Sequence, residues 1–166
     1  MTSEGRVWKF GDDVNTDLII PGRYLDNYDP SHLARHAMEG ACKEFASEVR
    51  AGDIIIAGHN FGCGSSREQA AIALKTAGTS AVIASSFARI FYRNAVNLGM
   101  PVLVSSEAVR VFLDGERVLL DMDNHRLSSV DGTRSTPLEE IPKNVRDILE
   151  SGGLIPYLKR KAADKQ

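Results

Sequence analysis

The stretch Gly58-His59-Asn60-Phe61-Gly62-Cys63-Gly64-Ser65-Ser66-Arg67-Glu68-Gln69-Ala70 gathers the chain's most reactive residue types into one glycine-rich run. Gly62 and Gly64 allow a backbone to approach a ligand closely, and the helix signal that follows brings unpaired amides and a positive dipole end that favour an anion. Arg67 adds a fork of donors suited to a carboxylate or a phosphate. Ser65, Ser66 and the Cys63 thiol are candidate nucleophiles or bases, with His59 four residues before the cysteine. A bland reading stands beside this one: Ser65-x-x-Glu68 fits a capping box, in which the serine only starts a helix and the glutamate returns the bond. A Walker loop is excluded, because no lysine precedes the hydroxyl residues, and G-x-G-x-x-G fails because the sixth position from Gly62 is Arg67. A Cys63 nucleophile with His59 as base would need the loop to turn the two side chains toward each other.

Elsewhere the chemistry is sparser. His32 and His36 are spaced i, i+4 but lack the H-E-x-x-H signature, and neither they nor His125 stand at metal-ligand spacing from a cysteine, so surface or core roles are expected. Arg89 and Arg93 share one face of an expected helix, as solvated charge or as a subunit contact. Thr16 and Asp17 lie in G-D-D-V-N-T-D, which reads either as a polar turn or as a pair of site residues.

The elements that must position these groups follow from periodicity. Short β-branched or apolar runs predict strands over 6–10, 54–57, 81–84 and 101–104, and a short extended piece over 18–20. Apolar residues at helical spacing predict helices over 65–77, stopped by Gly78, and from about 87 to 98, stopped by Gly99. Weaker patterns suggest a helix from Pro30-Ser31, a turn or two over 41–49, a short helix over 107–113, and a terminal helix from about Pro142. Runs at 117–121 and 125–130, joined by D-M-D-N, read as a hairpin. The alternation β-loop-α-β-α-β in the middle implies parallel strands with right-handed crossover helices. The fold class is α/β, a mostly parallel central sheet with flanking helices and extra β structure at both ends. It is expected as one domain over 1–160 with a frayed tail over 161–166, where K-A-A-D-K-Q is small and charged.

Composition bounds the function. The 166 residues carry 20 Lys plus Arg against 22 Asp plus Glu, a net charge of −2, which argues against an electrostatic nucleic-acid partner. Hydrophobic residues at 43% and charged residues at 25% are ordinary globular usage. The longest apolar run, over 70–74, is far short of the roughly twenty residues that cross a bilayer, so no membrane partner is expected. The N-terminal segment lacks a basic-then-apolar signal, and two cysteines make no disulfide framework, so a cytoplasmic protein is expected.

Three segments, N-T-D-L-I-I-P-G, N-F-G-C-G-S-S-R-E-Q-A and S-F-A-R-I-F-Y-R-N-A-x-N-x-G-x-P-V, occur in that order over residues 15–102. Together they resemble the small subunits of the aconitase-like isopropylmalate dehydratases, in the short archaeal-type form. The resemblance implies a swivelling β/β/α domain of the aconitase C-terminal type that closes over a [4Fe–4S] cluster held by a separate large subunit, whose open iron is the Lewis acid. Such clusters need three or four thiolates, and Cys42 and Cys63 are two, so no metal site is expected in this chain. By position in the family's motif, Ser65 is the base that takes the proton from the substrate carbon. Ser66 and Arg67 become carboxylate contacts, Gly62 and Gly64 the anion-binding loop, and Thr16 and Asp17 site residues. Arg23 aligns with a substrate arginine of the wider group only across a gap.

Tyr24, Leu25, Asp26, Asn27 and Tyr28 fall where these subunits carry a loop that senses the substrate's variable group. Asp26-Asn27 departs both from the basic residue expected for an extra carboxylate and from the apolar pattern expected for an isopropyl group. The reading is a hydro-lyase subunit, active only with its large subunit, that isomerises 3-isopropylmalate and 2-isopropylmalate in leucine biosynthesis through an unsaturated diacid. Its rivals are the same chemistry on another 2-hydroxy diacid (homoaconitate, methylmalate or dimethylmalate type), a non-catalytic anion-binding module, and a Cys63 hydrolase. Self-association of the isolated chain into a homo-oligomer is left open.

Overall fold

The computed structural model describes residues 2–166. Its strands are β1 (Thr2–Lys9), β2 (Ile54–Ala57), β3 (Ala81–Ala84), β4 (Val102–Val104), β5 (Arg117–Asp121), β6 (Arg126–Ser129) and β7 (Ser135–Pro137). They form one sheet in the order β4-β3-β2-β1-β5-β6-β7. The pairings from β4 to β1 are parallel, as the alternating pattern predicts, and those from β1 to β7 are antiparallel, so the sheet as a whole is mixed. The α/β class with flanking helices is the one expected.

The helices are α1 (Thr16–Ile19), α2 (Pro30–Ala34), α3 (Phe45–Glu48), α4 (Glu68–Ala77), α5 (Arg89–Asn97), α6 (Ala108–Val111), α7 (Lys143–Glu150) and α8 (Leu154–Asp164), with a 3-10 turn at Gly22–Tyr24. Because successive strand residues point to opposite faces, each run of the parallel half feeds two cores. Trp8, Ile55 and Val82 join Phe45, Leu74 and Phe91 on the side of α4 and α5, while Val7, Ile54, Ile56 and Ile83 join Phe112 and Leu127 on the other. β1 is tied to the start of β2 by Asp53, a buried carboxylate that accepts from the Trp8 indole N–H at 3.0 Å and from the amides of Arg6 and Arg50 at 3.1 and 2.9 Å.

Several expected boundaries shift for local reasons. Residues 18–20 are not an extended piece: Asn15 caps a helical turn by accepting from the Leu18 amide at 2.8 Å, so Thr16–Ile19 winds as α1. The helix expected from 65 starts at Glu68, because Arg67 is held extended at φ −132°, ψ 101°. The helix expected from 87 starts at Arg89, because Phe87 makes an isolated bridge to Phe61 and Ala88 donates to the Phe61 carbonyl at 2.9 Å. The terminal helix from Pro142 is two helices broken at Gly152-Gly153, and the second runs through Asp164, so the tail expected to fray from 161 is helical. β1 begins earlier than expected, and β7 carried no sequence signal of its own. Among the described residues no helix is long and apolar enough to cross a membrane.

Candidate active site

The connections that leave the carboxyl ends of β1, β2 and β3 meet on one side of the sheet, the usual place for a ligand in an open parallel sheet. Backbone bonds fasten them together. Gly62 donates to the Val14 carbonyl at 2.7 Å and Thr16 to the Cys63 carbonyl at 2.9 Å, which lays the loop after β2 along the loop after β1. Phe61 donates to the Ser86 carbonyl at 3.1 Å and ties in the loop after β3. The resulting cleft, about 930 Å³, is lined by Thr16, Gly62, Gly64, Ser65, Ser66 and Arg67 on one wall. The rest of the lining comes from 85–94 on the β3 connection and α5, with Val104 and Glu139.

Gly62 cannot be another residue here. Its φ is +83°, and a Cβ would lie 2.3 Å from the Phe91 ring, which is itself buried. The loop therefore rests on α5, and that contact pushes Gly64, Ser65 and Ser66 out to solvent. The Thr16 hydroxyl donates to the Ser65 carbonyl at 3.0 Å, fixing the backbone of the serine and leaving its own hydroxyl free. The capping box does not form: α4 begins three residues beyond Ser65, and its N-cap, Arg67, makes no side-chain cap bond. Among the described residues no oxygen accepts from the backbone N–H groups of Gly64, Ser65, Ser66, Arg67, Glu68 or Gln69. These amides and the positive end of α4 form a cradle for negative charge beside the Ser65 and Ser66 hydroxyls.

Arg67 is held from below. Its Nη1 donates to Asp17 Oδ1 at 3.1 Å and to the Ile20 carbonyl at 3.0 Å, so Nη2 and Nε keep their donors for a ligand. The Arg67 guanidinium, together with the Gly22 amide at 3.1 Å, keeps the Asp17 carboxyl below the usual carboxylate range. Asp17 thus acts on the arginine and does not line the cleft.

Arg23 and residues 24–28 also lie outside the cleft wall. Arg23 is turned to Glu39 at 2.7 Å and over the Tyr24 ring at 4.7 Å. The same glutamate accepts from the Tyr24 hydroxyl at 2.7 Å and meets His36 Nδ1 at 2.7 Å, and His36 stacks on Tyr24 with ring centroids 3.6 Å apart. Leu25 packs against the core, while Asp26, Asn27 and Tyr28 are exposed. His59 and Cys63 are joined to the loops by backbone bonds, and no bond links their side chains.

Sequence reasoning missed Ser85, Ser86 and Glu139 in the cleft lining, and Glu39 as the anchor of Arg23. A serine pair directly after a buried strand was the available signal for the first two. Nothing in the sequence marks the others. Among the described residues no three His, Cys, Asp or Glu side chains converge as a metal site, and the two cysteines sit apart, at the end of the 35–42 turns and in the glycine loop.

Comparison with known proteins gives this geometry relatives. Residues 13–107 match the family described as the aconitase C-terminal domain. The 3-isopropylmalate dehydratase small subunit of Nautilia profundicola is 52% identical over 157 residues, covering 93% of each chain. The methanogen homoaconitase small subunit of Methanothermobacter thermautotrophicus is 53% identical, covering 93% of this chain and 90% of that one. Among solved structures, 3-isopropylmalate dehydratase of Methanocaldococcus jannaschii superposes with a TM-score of 0.95 at 47% identity, over 99% of this chain and 98% of the other.

Proposed function

The chain belongs to the aconitase C-terminal domain family, and on that premise we propose that it is the small subunit of a hydro-lyase that interconverts 3-isopropylmalate and 2-isopropylmalate in leucine biosynthesis. In this reading it works in the cytoplasm, swivelling over its large subunit, and Ser65 is the base. The observation that carries it is the cleft that sets the free Ser65 hydroxyl among unpaired amides, with Arg67 beside it.

A serine hydroxyl is far too weak an acid to ionise unaided in water. Here its alkoxide would be stabilised by the 64–69 amides, the α4 dipole and the guanidinium, in a site from which closure excludes water. Arg67 Nη2 and Nε, with the Ser66 hydroxyl, orient the substrate through a carboxylate, so that the carbon acid faces Ser65 Oγ. The alkoxide would take that proton and keep it on Ser65 Oγ for the return step, the electron pair would form the double bond of the unsaturated diacid as the C–O bond of the neighbouring carbon breaks, and the departing hydroxide would be taken up by the Lewis acid that the partner's cluster would supply. Return of water with the positions exchanged gives the isomer. Two cysteines are too few to hold a [4Fe–4S] cluster, so in this reading the large subunit would hold it, where it would supply the Lewis acid for the departing hydroxyl.

A second reading, the same chemistry on homoaconitate, is supported by the methanogen homoaconitase relative. Asp26 lies outside the cleft and does not separate the two substrates. The test is turnover by this chain mixed anaerobically with a cluster-loaded large subunit, offering isopropylmalate, homocitrate, methylmalate and dimethylmalate in parallel. Activity only in the mixture, highest on isopropylmalate and lost by Ser65→Ala with assembly retained, is the expected result. Unchanged turnover in Ser65→Ala sinks the catalytic role and leaves an anion-binding module.

A further inference from the structure

Arg89 and Arg93 are placed where the fold gains nothing from them. Arg89 is the first residue of α5, whose first turn holds no acid and whose N-cap, Ala88, makes no side-chain cap bond. A cation at that end opposes the helix dipole, and a second cation four residues on repels the first. Arg6, Arg23, Arg67, Arg117 and Arg134 each face a carboxylate, whereas among the described residues Arg89 and Arg93, like Arg35 and Arg110, have no ion pair or side-chain hydrogen bond, and of these four only Arg89 and Arg93 line the cleft. Glu139, the carboxylate on the same cleft wall, bonds neither of them. Beside the two cations on α5 stands Ile90, 43% exposed although it lines the cleft. Local conflicts of this kind concentrate at functional positions.

We propose that Arg89, Ile90 and Arg93 form a docking surface for the large subunit, taking a segment of it that carries carboxylates beside an apolar side chain. The inference rests on the small-subunit reading above. Charge selects the occupant: two unpaired guanidinium groups call for acids, and the exposed isoleucine beside them calls for an apolar cover. A small dianionic substrate supplies the first need and not the second, while a protein surface supplies both. Position agrees, because this wall is continuous with the Ser65 loop through the contact of Gly62 with Phe91, so a partner seated on it faces the reacting groups. Substrate carboxylates already have Arg67 at the serine end.

The experiment measures binding of purified, cluster-loaded large subunit to the immobilised small chain at low and at physiological salt. The chains compared are unaltered, Arg89→Gln/Arg93→Gln, Ile90→Ser, and Arg110→Gln, an exposed arginine on α6 outside the cleft. The double variant is expected to bind about tenfold or more weakly and to lose much of the salt dependence. Ile90→Ser is expected to weaken binding with the salt dependence kept, and Arg110→Gln to bind as the unaltered chain. The free double variant should unfold at the same or a higher temperature than the unaltered chain, since the substitutions relieve repulsion, and this separates lost docking from lost folding. Binding unchanged in the double variant overturns the inference. If KM rises while binding is unchanged, the arginines serve the substrate instead. Failure of the unaltered chain to bind any large subunit overturns the subunit reading, and this inference with it.

Discussion

Asp17 holds Arg67, the anchored arginine of the cleft, from behind. Its carboxyl is held below the usual range by Arg67 and by the Gly22 amide, so the ionised form is favoured in the folded chain. The sign follows directly: the bond's contribution is present above the ordinary carboxylate pKa and fades as the pH falls through the lowered folded value. Being exposed, the pair adds little to stability, and its role is to aim Nη2 and Nε. In Arg67→Gln the Asp17 titration, followed by carboxyl chemical shift, should return toward the ordinary range, and KM in the assembled complex should rise about tenfold or more. An Asp17 titration unchanged by that substitution would mean the arginine is held by Ile20 alone. At this scale the cleft position of Ser65 and Arg67 was legible from the glycine-preceded S-S-R run and that of Thr16 from N-T-D. The role of Thr16 was not: a threonine hydroxyl reaching the Ser65 carbonyl joins residues 49 positions apart, which no spacing rule encodes.

Among the elements, the 22–40 segment shows how one carboxylate can fix a loop. Glu39 lies on the turns after α2 and gathers Arg23, the Tyr24 hydroxyl and His36, so the root of the 24–28 loop is fastened while its tip is exposed. Burial alone would raise the Glu39 carboxyl, but bonds from Tyr24, His36 and Arg23 outweigh it and the net direction is down. Glu39→Gln keeps the shape and removes the charge, so hydrogen exchange at residues 22–28 should quicken severalfold while protection in β2 and β3 is unchanged. Equal protection in both chains would show that the Tyr24–His36 stack alone holds the loop. Elements with a strong period, β2, β3 and the body of α4, were legible from the chain. The starts of α4 and α5 were not, because long-range bonds from Thr16 and Phe61 keep their leading residues extended against helical propensity. α1 was misread because I-I after T-D looks β-prone until Asn15 is seen as a cap.

For the molecule as a whole, stability comes from two apolar layers on a sheet whose parallel and antiparallel halves share β1. The parallel half was legible as alternating strands and helices. The antiparallel half was only partly so, since β5 pairs with a β1 that begins at Thr2, where the sequence is polar and gives no strand pattern. Under the proposed function this architecture would divide the labour of a split enzyme, with a base-supplying chain that folds on hydrocarbon burial and the oxygen-sensitive group left to the large subunit. Chelator or air should then leave the melting temperature of the isolated small chain unchanged, while the same treatment abolishes turnover of the mixture. Adding fresh cluster-loaded large subunit to the treated small chain should restore full activity, because nothing in the small chain was lost. A drop in the melting temperature on chelation, or failure of fresh large subunit to rescue, would mean that the small chain holds a metal through Cys42 or Cys63 after all, and the division of roles would have to be redrawn.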